Sequence, residues 1–120
     1  MRNRIPAKTS IALLAALFVN AAIAATPVKD MTGKQIAYDR KLGNCLACHA
    51  MPTQPDAIAA GTAGPPLVAM SARFPDKKVL RAQIWDAMTN NPQTIMPPFG
   101  KHKILTEEQI DKVVDFVYGL

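Results

Sequence analysis

Cys45-Leu46-Ala47-Cys48-His49 sets two thiols and an imidazole within five consecutive residues. Thiols at this spacing can add across the two vinyl groups of one porphyrin edge. A histidine directly after them can turn under the ring and give its imidazole to the iron. This C-x-x-C-H order is the attachment signature of a c-type haem. Cys45 and Cys48 are the only cysteines in 120 residues, so both are used here and no structural disulfide is left. Two rival uses of the pair fail on context. A thioredoxin-like C-x-x-C sits where a strand feeds a helix, and no strand pattern precedes Cys45. A zinc site needs two further ligands, and His102 is the only other histidine. The sequence predicts one covalent haem c, anchored by Cys45 and Cys48, with His49 as proximal iron ligand.

The opposite axial position of a His-ligated electron carrier is commonly filled by Met, which raises the potential. Met51 lies two residues beyond His49 and cannot cross to the other face of the ring. Met88 continues a helical stripe and reads as core. Met70 follows Gly64-Pro65-Pro66-Leu67, a segment expected to stay on the histidine side. Met96 lies in an irregular loop, and Pro97-Pro98 behind it restrict the backbone, which holds a weakly binding thioether in place before it binds. Met96 is the favoured sixth ligand, with His102, flanked by Lys101 and Lys103, as the bis-histidine alternative. A carbonyl near Pro65 could accept the Nδ1–H of His49 and raise the basicity of the ring. The same two prolines could equally be only a stiff turn.

The elements that must position these groups are helical. Lys34 to Leu42 reads as a helix closed by Gly43-Asn44, after a polar, extended stretch from Thr26 to Gly33. Met51 to Pro66 reads as a loop rich in Pro, Ala and Gly. Asp76 to Asn90 reads as a second helix, N-capped by Asp76, with Leu80, Ile84 and Met88 as its apolar stripe and Trp85 beside it. A proline-rich loop leads to the capping box Thr106-Glu107-Glu108-Gln109, after which Ile110, Val113, Val114 and Val117 form an apolar face. No stretch alternates long enough for a sheet. The expected fold is all-α, a class I cytochrome c-like domain with three or more short helices around one haem.

Residues 1–25 fit a cleaved export signal and residues 26–120 a single domain. Arg2, Arg4 and Lys8 precede an apolar run from Ile11 to Ile23, and Ala22-Ile23-Ala24 is a small-x-small cleavage site, so the mature chain is expected to start at Ala25 or Thr26. The run is shorter than the ~20 residues of a spanning helix, and no cysteine stands at the cleavage point to carry a lipid. Losing those three bases takes the formal charge from +5 to +2. The high pI owes much to the leader and is no sign of nucleic-acid binding. Covalent haem attachment outside the cytoplasm agrees with an oxidising, periplasmic compartment. Lys77, Lys78 and Arg81, with Lys101 and Lys103, form two basic clusters that read as ordinary solvated faces more readily than as a docking surface for an acidic partner.

From Gly43 to the C-terminus the chain resembles the SoxX family. The runs that carry the likeness are Gly43 to Pro52, Gly64-Pro65-Pro66-Leu67, Arg81 to Asp86, Ile95-Met96-Pro97-Pro98-Phe99-Gly100, Lys101 to Thr106 and Val114 to Tyr118. The haem motif is common to all cytochromes c, whereas the Met-Pro-Pro-Phe-Gly loop and its basic continuation are more specific. The resemblance implies that Cys45 and Cys48 hold the haem and that His49 and Met96 are its axial ligands. It implies pairing with a SoxA-type cytochrome subunit in a periplasmic complex. That complex acts as an L-cysteine S-thiosulfotransferase, conjugating thiosulfate oxidatively to a cysteine of a SoxY-type carrier. The catalytic cysteine then belongs to SoxA, and this chain relays electrons to a downstream cytochrome. No catalytic residue is expected here, because its only thiols are consumed by haem.

Two other readings fit the residues. A freely diffusing periplasmic electron shuttle would have a mostly polar surface around one haem edge, where a subunit carries a lasting apolar patch. A peroxidase-type enzyme would require Met96 to leave the iron.

Overall fold

The structure, a computed structural model, describes residues 27–120. The expected leader and its cleavage site lie outside the described residues. Four α-helices carry the chain: α1 (Gly33–Tyr38), α2 (Met70–Arg73), α3 (Lys77–Trp85) and α4 (Glu107–Tyr118). Among the described residues there is no β-strand, and no helix is long and apolar enough to cross a membrane.

Helix α4 forms where its sequence says it should. The Thr106 hydroxyl accepts from the Gln109 N–H at 3.2 Å, and the Gln109 side chain accepts from the Thr106 N–H at 2.9 Å. Ile110, Val113, Val114 and Val117 are all buried. Helix α1 has the same reciprocal cap between Thr32 and Gln35, a capping box that the sequence reading passed over. The stretch expected to be extended also contains a 3₁₀ turn at Val28–Asp30.

Helices α1 and α4 approach closely because position 33 has no side chain. A Cβ on Gly33 would lie 1.9 Å from the Lys112 carbonyl oxygen. Tyr38 and Phe116 meet edge to face across the same crossing at 6.2 Å between ring centroids. Helix α3 is clamped to α4 by polar pairs: Lys77 to Asp115 at 2.9 Å, and Arg81 to both Asp111 and Glu107. Ile36, Leu80, Ile84, Phe99, Leu105, Ile110 and the α4 valines form one continuous core.

Two helices end earlier than their periodicity predicts. The first stops at Tyr38, where the Asp39 carboxylate accepts from the Lys41 N–H at 2.7 Å and turns the chain. The second stops at Trp85, because the Asp86 carboxylate accepts from the Met88 N–H at 3.2 Å and starts a 3₁₀ turn over Ala87–Thr89. The break corrects the reading of Met88. That side chain leaves the Leu80/Ile84 stripe and is 40% exposed, so it is no core residue. Helix α2 was not expected at all. It is one short turn entered through Ala69 in the left-handed region at φ 50°.

Candidate functional site

The haem motif is a 3₁₀ turn, Cys45–Ala47, entered through Asn44 at φ 47°. His49 N–H donates to the Cys45 carbonyl at 2.9 Å, which closes the turn and brings the imidazole beneath it. The following loop folds back on the motif through three backbone bonds of 2.8 Å each: Gly61 N–H to Leu46 O, Gly64 N–H to Cys48 O, and Leu67 N–H to Ala50 O. The Met51–Pro66 segment is therefore irregular, as expected, yet tied at alternate residues to the groups it serves.

That return sets the histidine. His49 Nδ1 lies 2.6 Å from the Pro65 carbonyl oxygen. A carbonyl only accepts, so Nδ1 carries the proton and Nε2 keeps the lone pair that a metal needs. The Pro65 carbonyl stands at hydrogen-bond distance from the ring, and Pro65-Pro66 are also the stiff segment that brings it there. Gly64 completes the cradle: a Cβ there would lie 2.3 Å from His49 Cε1. Sequence reasoning missed Gly64, since the need for a bare Cα appears only once the ring stands against it.

Cys45, Cys48, His49 and Met96 line one cavity of about 530 Å³, within the ~300–1,000 Å³ of cofactor pockets. Leu67, Met70, Leu80, Ile84, Phe99, Leu105, Val113 and Val117 supply its apolar wall. Both cysteines are free thiols, and burial pushes Cys45 up to about 11. A nucleophilic or redox C-x-x-C needs the opposite shift. Among the described residues no three His, Cys, Asp or Glu side chains gather as a metal cluster. Paired thiols, a lone-pair-bearing imidazole and a thioether around a mostly apolar cavity fit a covalent haem. When bound, the haem supplies a one-electron iron couple.

The other axial candidates are placed as follows. Met51 is buried in the core. Met70 lines the cavity, but its Sδ accepts from Arg73 Nη1 at 3.3 Å, which occupies the sulfur. His102 is exposed between its lysines. Met96 is half-buried in its loop, where its N–H donates to Thr94 Oγ1 at 3.1 Å. In the basic clusters, Lys77 and Arg81 pair with α4, and Lys101 pairs with the buried Asp86 at 2.8 Å. The Lys101 ammonium holds the Asp86 carboxyl below the usual carboxylate range.

Comparison with known proteins agrees with this geometry. Residues 29–117 match the family described as cytochrome C oxidase, cbb3-type, subunit III. An uncharacterized lipoprotein of Aquifex aeolicus (strain VF5) is 35% identical over 78 residues, which cover 65% of this chain and 37% of that protein. The chain thus spans little more than a third of that relative's length. The crystal structure of SoxXA from P. pantotrophus superposes with a TM-score of 0.65 at 30% identity, covering 72% of this chain and 77% of that one. The chain belongs to the cytochrome c family of the cbb3-type subunit III profile and is a SoxX-like, haem c-bearing electron-transfer protein.

Proposed function

We propose that this chain is the electron-accepting subunit of a periplasmic SoxAX-type complex. Cys45 and Cys48 would hold a single haem through thioether bonds, with His49 Nε2 and Met96 Sδ as axial ligands. Residues 1–25 would direct export and be cleaved off in the course of it. The partner would be a SoxA-type cytochrome carrying the catalytic cysteine. The complex would join thiosulfate to a SoxY-type carrier thiol: RSH + S₂O₃²⁻ gives RS–SSO₃⁻, one proton and two electrons. The electrons would leave one at a time through this chain toward a downstream cytochrome.

The observation that carries the reading is the single cavity lined by both thiols, the oriented His49 and Met96. His49 and Met96 would hold the iron and both thiols would be spent on attachment, so this chain would accept and pass electrons and leave the sulfur–sulfur bond to its partner. The test is thiosulfate-dependent reduction of the haem. The purified chain alone should stay oxidised, and the mixture with a SoxA-type partner and a SoxY-type carrier should reduce it. A haem that ignores thiosulfate in the full mixture, in a chain that binds no SoxA-type subunit, returns the protein to the role of a diffusing shuttle.

A further inference from the structure

Among the described residues, Asp86 is the only polar or charged residue that is buried. Ending α3 does not require its charge, because a neutral side-chain oxygen could accept the Met88 N–H as well. A buried carboxylate is costly, and one exposed ammonium repays that cost poorly, so stability is a weak reason for the pair. The second carboxylate oxygen has a different partner. Asp86 Oδ2 accepts from Lys101 Nζ at 2.8 Å, across fifteen positions of sequence.

The segment between these two residues carries Met96, ten positions after Asp86 and five before Lys101. Its ends are joined a second time at the backbone. The Trp85 carbonyl, left without an intrahelical partner at the end of α3, accepts from Gly100 N–H at 3.1 Å and from Lys101 N–H at 3.3 Å. Pro97 and Pro98, directly after Met96, have no N–H to donate. The thioether is therefore held from its C-terminal side by the buried Phe99 and by the closure at Gly100 and Lys101. Neither Asp86 nor Lys101 lines the cavity. A weak ligand on a closed loop competes through its effective concentration at the metal, and slack at the loop ends lowers that concentration.

We propose that the Asp86–Lys101 pair is a clasp that positions the Met96 loop and sets how readily the thioether yields the haem iron to an outside ligand. Both are positioning residues, acting through Met96 without touching the haem. The proposal rests on the reading of Met96 as sixth ligand and names what regulates that bond.

The experiment titrates the oxidised, haem-loaded chain with imidazole and follows loss of the Met–iron absorption band. Lys101→Ala and Asp86→Asn should each raise the apparent imidazole affinity about fivefold or more, because the loop opens more often. Covalent haem content should stay that of wild type. Lys101→Arg keeps the charge and should remain within about twofold of wild type. Lys77→Ala is the control: it removes an ion pair of similar length, 2.9 Å to Asp115, between α3 and α4 and away from the loop. Its imidazole affinity should match wild type even where its thermal midpoint falls. Wild-type affinity in both Lys101→Ala and Asp86→Asn overturns the clasp. A rise in Lys77→Ala as large as theirs also overturns it, since the effect is then general loosening, and so does a Lys101→Arg that behaves as Lys101→Ala. Met96→Ala separates the two levels. It should bind imidazole more tightly than any clasp variant, and if it binds no better than wild type, Met96 is not the ligand and the clasp falls with it.

Discussion

At the scale of single residues, His49 is held by two devices of different kinds, the Pro65 carbonyl and the bare Cα of Gly64. Gly64→Ala should displace the ring, lower the yield of covalently loaded haem and destabilise the loaded protein by about 1–3 kcal/mol, the usual cost of overpacking. Haem content per chain and thermal midpoint measure both effects. Met96→Ala should keep the covalent haem, lose the long-wavelength Met–iron band and lower the reduction potential on the order of 0.1 V, a small part of the ~0.8 V that axial ligands span. If Met70→Ala did this and Met96→Ala did not, the ligand assignment would be wrong. Cys45, Cys48 and His49 stand out in the sequence by their spacing alone, and the structure brings them to one cavity. The sequence singled out Pro65 without deciding its role. Gly64 was not legible, since what forbids a side chain there is a contact with a ring fifteen residues away in the sequence.

At the scale of elements, caps were readable and lengths were not. Thr106 with Gln109 and the apolar spacing after them specify α4 locally, and Asp76 caps α3 by accepting from the Lys78 N–H. Thr106→Ala should remove the capping box and lower stability by about 1 kcal/mol, seen as a drop in thermal midpoint with the haem spectrum unchanged. Gly33→Ala tests the helix crossing itself. With the carbonyl of Lys112 in the way, α1 must move off α4. The expected loss exceeds that of Thr106→Ala, because a displaced helix also strips contacts from Ile36 and Phe116. Asp86 shows why periodicity overran the end of α3. A carboxylate in a helical pattern reads as one more surface residue. Only its turn to the Met88 N–H and its pairing with Lys101, fifteen positions on, make it a stop. The cross-helix partners of Lys77 and Arg81 were hidden for the same reason, being 38 and 30 positions distant.

At the scale of the whole molecule, the described residues 27–120, joined by long loops between short helices, make a modest core, and a 530 Å³ cavity lined by Leu80, Ile84, Val113 and Val117 leaves much of that core facing the haem position. Cys45→Ala or Cys48→Ala should therefore reduce both haem attachment and thermal stability, read by haem staining of the denatured chain and by circular dichroism. Acid sensitivity has a definite sign. Lys101 beside Asp86 and Lys34 beside Asp56 hold both carboxyls below their ordinary range. Their stabilisation is fully present above the unfolded carboxylate value of about 3.9, and it fades as pH falls through the lower folded values. Unfolding in acid should thus set in below about pH 4, and Asp86→Asn should flatten that dependence by removing one such group. The Pro65–Pro66 unit carries a further consequence. Neither residue has an amide hydrogen, while their two carbonyls face His49 and Arg73. The anchor of His49 is therefore silent in amide hydrogen exchange. The proton that reports on it belongs to the His49 ring, and a slowly exchanging Nδ1–H resonance should persist for as long as the imidazole stays in its cradle.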